Sequence, residues 1–162
     1  MQIVVPAETW ANERRVALIP DSVKKLTRAG CTVTVESGLG MQSGYSDADY
    51  EEAGASVTSD RRAMISNGDI VLRVRKPELD EVSLLKSGAI QVSYLDPYNE
   101  HELVDALASQ GATAISMEMI PRTTRAQKMD ALSSQANLAG YVMVILAAQK
   151  LDRILPMMMT PA

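Results

Sequence analysis

Arg122, Gln127, Asp130 and Ser133 stand close together in the stretch PRTTRAQKMDALSSQANLAGY, with Arg125 and Lys128 among them. Loops that merely connect elements usually hold Gly, Pro, Asn and Ser, which satisfy their own backbone. This one is stocked with groups that reach outward. Arg125 and Lys128 read as solvating charges, and Asp130 reads as the N-cap of the helix that follows. A cap and a ligand contact are compatible roles for one carboxylate.

A second concentration follows the first strand. VVPAETWANERR carries Glu8, Asn12, Glu13, Arg14 and Arg15 just past Pro6. Open α/β sheets place ligands at the carboxyl ends of their strands. The plain alternative is a salt-bridged loop in which Glu8 or Glu13 answers Arg14 or Arg15. Other basic groups lie at Lys24, Lys25 and Arg28, at Arg61 and Arg62, and from Arg73 to Lys76; the first two clusters read as solvated helix faces.

Several chemistries are set aside. Cys31 is the only cysteine and His101 the only histidine, so a zinc site of the usual kind is not expected and no metal ligands are assigned. Cys31, beside Gly30, reads as a small buried hydrophobe. A net charge of -4 and a pI near 5.0 argue against a nucleic-acid partner, which would need a basic stripe. ESGLGMQSG follows a strand, but Ser43 stands where a dinucleotide fingerprint needs its third glycine. It reads as a turn, with Gly38 and Gly40 supplying conformational freedom. The start, MQIVVPAET, shows no secretory leader, and the apolar run Tyr141 to Ala148 is shorter than the ~20 residues of a spanning helix.

The elements that would position these groups alternate. Short β-branched runs at IVV, CTVTVE, ASVT, DIVLRV, AIQVSYL and ATAISME are separated by the helical segments PDSVKKLTRAG, SDADYEEAG, DRRAMISNG, ELDEVSLLKSG and NEHELVDALASQG. Asp21 or Ser22 is the expected cap of the first helix and Gly30 its stop. This pattern predicts an open, doubly wound, mainly parallel sheet, flavodoxin-like or Rossmann-like, with helices on both faces. A long apolar helix beginning within DALSSQ ends it. Apolar nearly all round from Leu138 to Ala148, that helix is expected to be buried between layers or at an interface.

The spacing P-x-E-x-x-x-N-E-R-R-V-A-x-x-P-x-x-V-x-x-L-x-R-x-G, from Pro6 to Gly30, resembles the amino-terminal signature shared by alanine dehydrogenases and the alpha subunits of nicotinamide nucleotide transhydrogenases. Ile19 departs from it, standing where those families have Ser or Thr. Alanine dehydrogenases use a lysine in a K-V-K-E-P-like stretch and a histidine after the next strand; RVRKP and YLDPY put Arg75 and Asp96 at those places. Alanine oxidation is therefore not expected.

MEMIPRTTRAQKMDALSSQANLAGY, down to the trailing PMMMT, is similar to the NAD(H)-binding component of proton-translocating transhydrogenases. The resemblance implies a set of residues about the nicotinamide: Arg122, Gln127, Asp130 and Ser133, with Gln127 and Asp130 nearest the catalytic event. A carboxamide offers a donor and an acceptor, so Asp130 or Ser133 can accept from it while Arg122 or Ser133 donates. Gln127 could reach a ribose of a second nucleotide. The resemblance further implies hydride transfer between NAD(H) here and NADP(H) on a partner beta component, a homodimer, a membrane component, and a cytoplasmic place beside the inner membrane. Residues 1–150 are expected to form the α/β domain and 151–162 a truncated link toward an absent Rossmann NAD-binding domain. The isolated chain should be inactive and bind NADH weakly. Other readings are another alanine-dehydrogenase-like oxidoreductase or a non-catalytic dimerisation scaffold.

Overall fold

The computed structural model describes residues 1–152. The expected link at 151–162, including Met157 to Met159, lies almost wholly outside them. The chain divides into two compact units, Met1–Met119 and Ile120–Ala162.

The first unit is built on a six-stranded sheet: β1 (Gln2–Val5), β2 (Thr32–Glu36), β3 (Ser56–Thr58), β4 (Ile70–Leu72), β5 (Ile90–Ser93) and β6 (Thr113–Ser116). Every pairing is parallel and the order is β3-β2-β1-β4-β5-β6. That is the Rossmann order, with the direction of winding reversing between β1 and β4.

Alternation along β1 separates the two faces. Ile3 and Val5 pack with Val33 and Val35, under Val23 of α1 (Pro20–Arg28) and Tyr50 of α2 (Asp47–Glu52). Val4 points the other way and packs with Val71 against three helices. These are α3 (Arg61–Asn67, through Met64 and Ile65), α4 (Leu79–Val82, through Val82) and α5 (His101–Ser109, through Leu103 and Leu107). A strand side chain taken fully out of water contributes roughly 1.5–3 kcal/mol, and Val4, Val5, Val33, Val35 and Val71 are all at or near zero exposure.

Helix ends follow local chemistry. The first helix starts two or three residues earlier than a cap at Asp21 or Ser22 would place it. Pro20 occupies its first turn, and Ile19 caps it without a side-chain bond, because a fixed proline φ substitutes for a capping oxygen. Its end is as expected: Gly30 adopts φ 83°, with the Gly30 N–H on the Thr27 carbonyl and the Cys31 N–H on that of Leu26. Cys31 is only partly buried, packed against the core rather than inside it. Ser46 and Asp49 form a reciprocal capping box at α2.

ESGLGMQSG is a turn, and its glycines act differently. Gly38 needs φ 80° and has open space around it. Gly40 has an ordinary φ of -91° but is closely approached; a Cβ there would lie 2.7 Å from the Tyr45 carbonyl oxygen, Tyr45 Cβ and Tyr50 Cε2. Tyr50 is itself immobilised, donating its hydroxyl to the Leu18 carbonyl at 2.9 Å.

In the second unit, α6 (Ala131–Lys150) is the last described element. None of its residues is buried within this chain, and Leu138, Tyr141, Val142, Met143, Val144, Ile145 and Leu146 are exposed, so α6 is not covered between layers of its own unit. An all-round apolar surface is the kind that a neighbouring domain or subunit covers. By length and composition alone α6 could also cross a membrane, with a mean hydropathy of 1.4.

Gly40→Ala is expected to lower stability by about 1–3 kcal/mol, the usual cost of overpacking, measured as a fall in urea midpoint. An unchanged midpoint would contradict the close approach to Tyr45 and Tyr50.

Candidate functional site

After Pro121 the chain makes a 3-10 turn from Thr124 to Met129 and enters α6 through Asp130. Asp130 is the N-cap: one carboxylate oxygen accepts the Ser133 N–H at 2.9 Å. The other faces Arg122, whose Nε lies 3.7 Å away. Arg122 Nη2 also donates to the Ser133 hydroxyl at 3.0 Å. The Ser133 amide and hydroxyl, with the Arg122 guanidinium, hold the Asp130 carboxyl below the usual carboxylate range. Gln127 is exposed and, among the described residues, its amide makes no hydrogen bond.

All four residues singled out in this stretch, Arg122, Gln127, Asp130 and Ser133, line one open hollow of about 270 Å³ together with Thr123 and Thr124. Arg125 and Lys128 are exposed and do not line it. The hollow thus presents guanidinium donors, an ionised acceptor, a hydroxyl that can do both, and a free amide. That donor and acceptor set fits a planar carboxamide.

The carboxyl edge of the sheet is organised differently. Glu8 accepts the N–H groups of Val74 and Arg75, at 2.6 and 3.0 Å, which ties the loop after β1 to the segment after β4. Glu13 answers Arg15, as the salt-bridged reading expects, through Nε at 2.7 Å and Nη2 at 2.6 Å. It also takes Arg75 Nε at 2.8 Å. Arg14 has no such role; its carbonyl instead accepts the Ser43 hydroxyl. Trp10 lies under Arg75 and Lys76, at 5.7 and 5.3 Å from the ring centre. Trp10, Arg75, Lys76, Tyr94 and Asp96 line a hollow of about 240 Å³.

Arg61 does not belong to a solvated helix face. Its guanidinium bridges Glu36 and Glu81 and donates to the Ala7 carbonyl at 2.9 Å. Glu36 in turn accepts the Ala7 N–H at 2.7 Å, and Glu81 takes Arg73 Nη1 at 2.7 Å. Sequence reading misses this network because the carboxylates that answer Arg61, Glu81 and Glu36, lie 20 and 25 residues from it, with no local pattern. It misses Glu118 as well, whose carboxylate accepts the Leu95 and Asp96 N–H groups and the Ser116 hydroxyl. The only sequence signal was an acid in MEMIPR.

Glu13 yields a pH prediction. Its side chain is 4% exposed, and Arg15 first, then Arg75, lower its pKa from 4.5 to about 2. A depressed carboxyl stabilises the fold above its unfolded pKa and loses that contribution as pH falls toward the folded value. The loss is expected between pH 4.5 and about 2. In Glu13→Gln the stability curve should be flatter over that window and lower at neutral pH, measured by urea unfolding at stepped pH. Parallel curves for the two proteins would contradict the assignment.

Comparison with known proteins matches residues 4–139 to the family "Alanine dehydrogenase/PNT, N-terminal domain". The chain is 41% identical to NAD(P) transhydrogenase subunit alpha of Cereibacter sphaeroides, over all of this chain and 31% of that protein. It is 33% identical to alanine dehydrogenase of Halomonas elongata, over 94% of this chain and 41% of that one. The crystal structure of transhydrogenase from Sinorhizobium meliloti superposes with a TM-score of 0.89 at 48% identity, over 99% of this chain and 48% of the other. The chain therefore spans less than half the length of these relatives. Rossmann strand order, the Pro6 to Gly30 signature and the family match agree: this chain belongs to the alanine dehydrogenase/PNT family, of which it carries the N-terminal domain.

Proposed function

We propose that this chain is the amino-terminal half of the NAD(H)-binding component of a proton-translocating transhydrogenase, which passes hydride between NAD(H) and NADP(H). The observation that carries the reading is the gathering of Arg122, Gln127, Asp130 and Ser133 into one hollow at the start of α6. In this reading Arg122 and Ser133 donate to the nicotinamide carboxamide, and Asp130 and Ser133 accept from it. Gln127, whose side-chain amide makes no hydrogen bond among the described residues, is left to meet a ribose of the second nucleotide.

The bound nicotinamide supplies the hydride. The residues of this chain have the narrower task of fixing which ring face is presented, since direct hydride transfer needs orientation and exclusion of water rather than an acid or base. Adenine, ribose and pyrophosphate contacts are assigned to a following Rossmann domain, so the 162-residue chain should bind NADH weakly and lack activity. NADP(H) sits on a beta component, and a membrane component carries the protons. The chain itself is then cytoplasmic, peripheral to the inner membrane through its partners. The uncovered apolar surface of α6 supports a homodimer or a docked domain there.

Amino-acid oxidation is disfavoured by Arg75 and Asp96. Arg75 is engaged by Glu13, and Asp96 is an acid where alanine dehydrogenases place a histidine. Higher identity to transhydrogenase subunits than to alanine dehydrogenases points the same way.

In the assembled protein, with NADH, an NADP⁺ analogue and the NADP(H)-binding partner, Gln127→Asn is expected to slow hydride transfer at least about tenfold, a misplacement cost of the usual size. NADH affinity should be kept. Transfer indifferent to the substitution would sink this reading.

A further inference from the structure

Besides polar neutral groups, the hollow holds one carboxylate and one guanidinium, and they are held differently. Asp130 has a side chain only 12% exposed and is fixed by the Ser133 N–H. Arg122 is 74% exposed and reaches both Asp130 and the Ser133 hydroxyl from the rim. The two oxidation states of nicotinamide differ in charge, because the oxidised ring is a cation and the reduced ring is neutral. A fixed carboxylate beside the ring favours the cation, and a guanidinium beside it opposes that preference.

We infer that Arg122 levels the affinity of this hollow for oxidised and reduced nicotinamide by offsetting Asp130 at 3.7 Å. The inference rests on the nicotinamide placement proposed above and assigns Arg122 a part beyond contact with the carboxamide. A site that exchanges hydride in both directions has to release each oxidation state. A carboxylate acting alone would hold the oxidised cofactor too firmly relative to the reduced one. Because the guanidinium reaches in from the solvent side, its charge can be removed without emptying the interior of the hollow.

The test titrates NAD⁺ and NADH separately into the full chain, reading Kd from NMR shifts of the Ser133 and Gln127 amides. Wild type is compared with Arg122→Gln, Arg122→Lys and Asp130→Asn; Asn remains a good N-cap, so the start of α6 is kept. The ratio of the NAD⁺ Kd to the NADH Kd should fall about two- to fivefold in Arg122→Gln, the range exposed charge pairs usually carry. It should return toward wild type in Arg122→Lys and rise in Asp130→Asn. Equal change in both Kd values in Arg122→Gln would overturn the levelling role while leaving the nicotinamide placement intact. If neither nucleotide moves the Ser133 or Gln127 resonances of wild type, the placement fails and the inference fails with it.

Discussion

The Asp130 carboxylate ties the candidate site to the fold. One oxygen ends the ladder of α6 by accepting the Ser133 N–H, and the other faces the Arg122 guanidinium. A helix leaves its first N–H groups unsatisfied, so the cap fixes where α6 begins. Fixing that start also fixes Ser133, one turn in, and with it the hydroxyl that Arg122 reaches. Capping a twenty-residue helix and building a small polar hollow are thus one arrangement.

Two of the hollows among the described residues are lined by polar groups that could meet a ligand, and their electrostatics separate them. At the carboxyl edge of β1 and β4, where the winding reverses and sheets of this kind commonly bind ligands, the protein supplies its own anions. Glu13 engages Arg15 and Arg75, and Glu8 takes the Val74 and Arg75 N–H groups. Arg15 and Arg75, both answered by Glu13, have less charge left to offer a ligand carboxylate. These contacts brace the β1 loop instead, with Glu36, Arg61 and Glu81 continuing the brace on the side of Ala7. The hollow at the start of α6 is the reverse case. The Gln127 side-chain amide makes no hydrogen bond among the described residues, and the Arg122 side chain lies mostly in solvent.

Which parts of this were legible in the sequence follows from range. Gly30 and the Asp130 cap are local, with partners a few residues away, and they read directly. The rhythm of strands and helices is equally local. Strand order is not, because IVV, TVTV and IQVS bear the same apolar signature and nothing in them says that β1 sits between β2 and β4. Arg61 looked like an ordinary surface charge because Glu36 and Glu81 are distant in sequence. For α6 the composition correctly predicted a long apolar helix, yet composition cannot supply the surface that covers it. The four candidate site residues were proposed through resemblance in a single contiguous stretch; the bond from Arg122 to Ser133 was not readable there.

The central claim is that nicotinamide belongs to the α6 hollow and not to the crevice at the edge of the sheet. Isotope-edited NMR on the labelled chain with excess NADH would test it most directly, through nuclear Overhauser contacts from the nicotinamide ring protons. The account predicts contacts to the side chains of Arg122, Gln127 and Ser133. Contacts to Trp10 and Tyr94 in their place would contradict it, and would move the site to the crevice that Arg75 and Lys76 line.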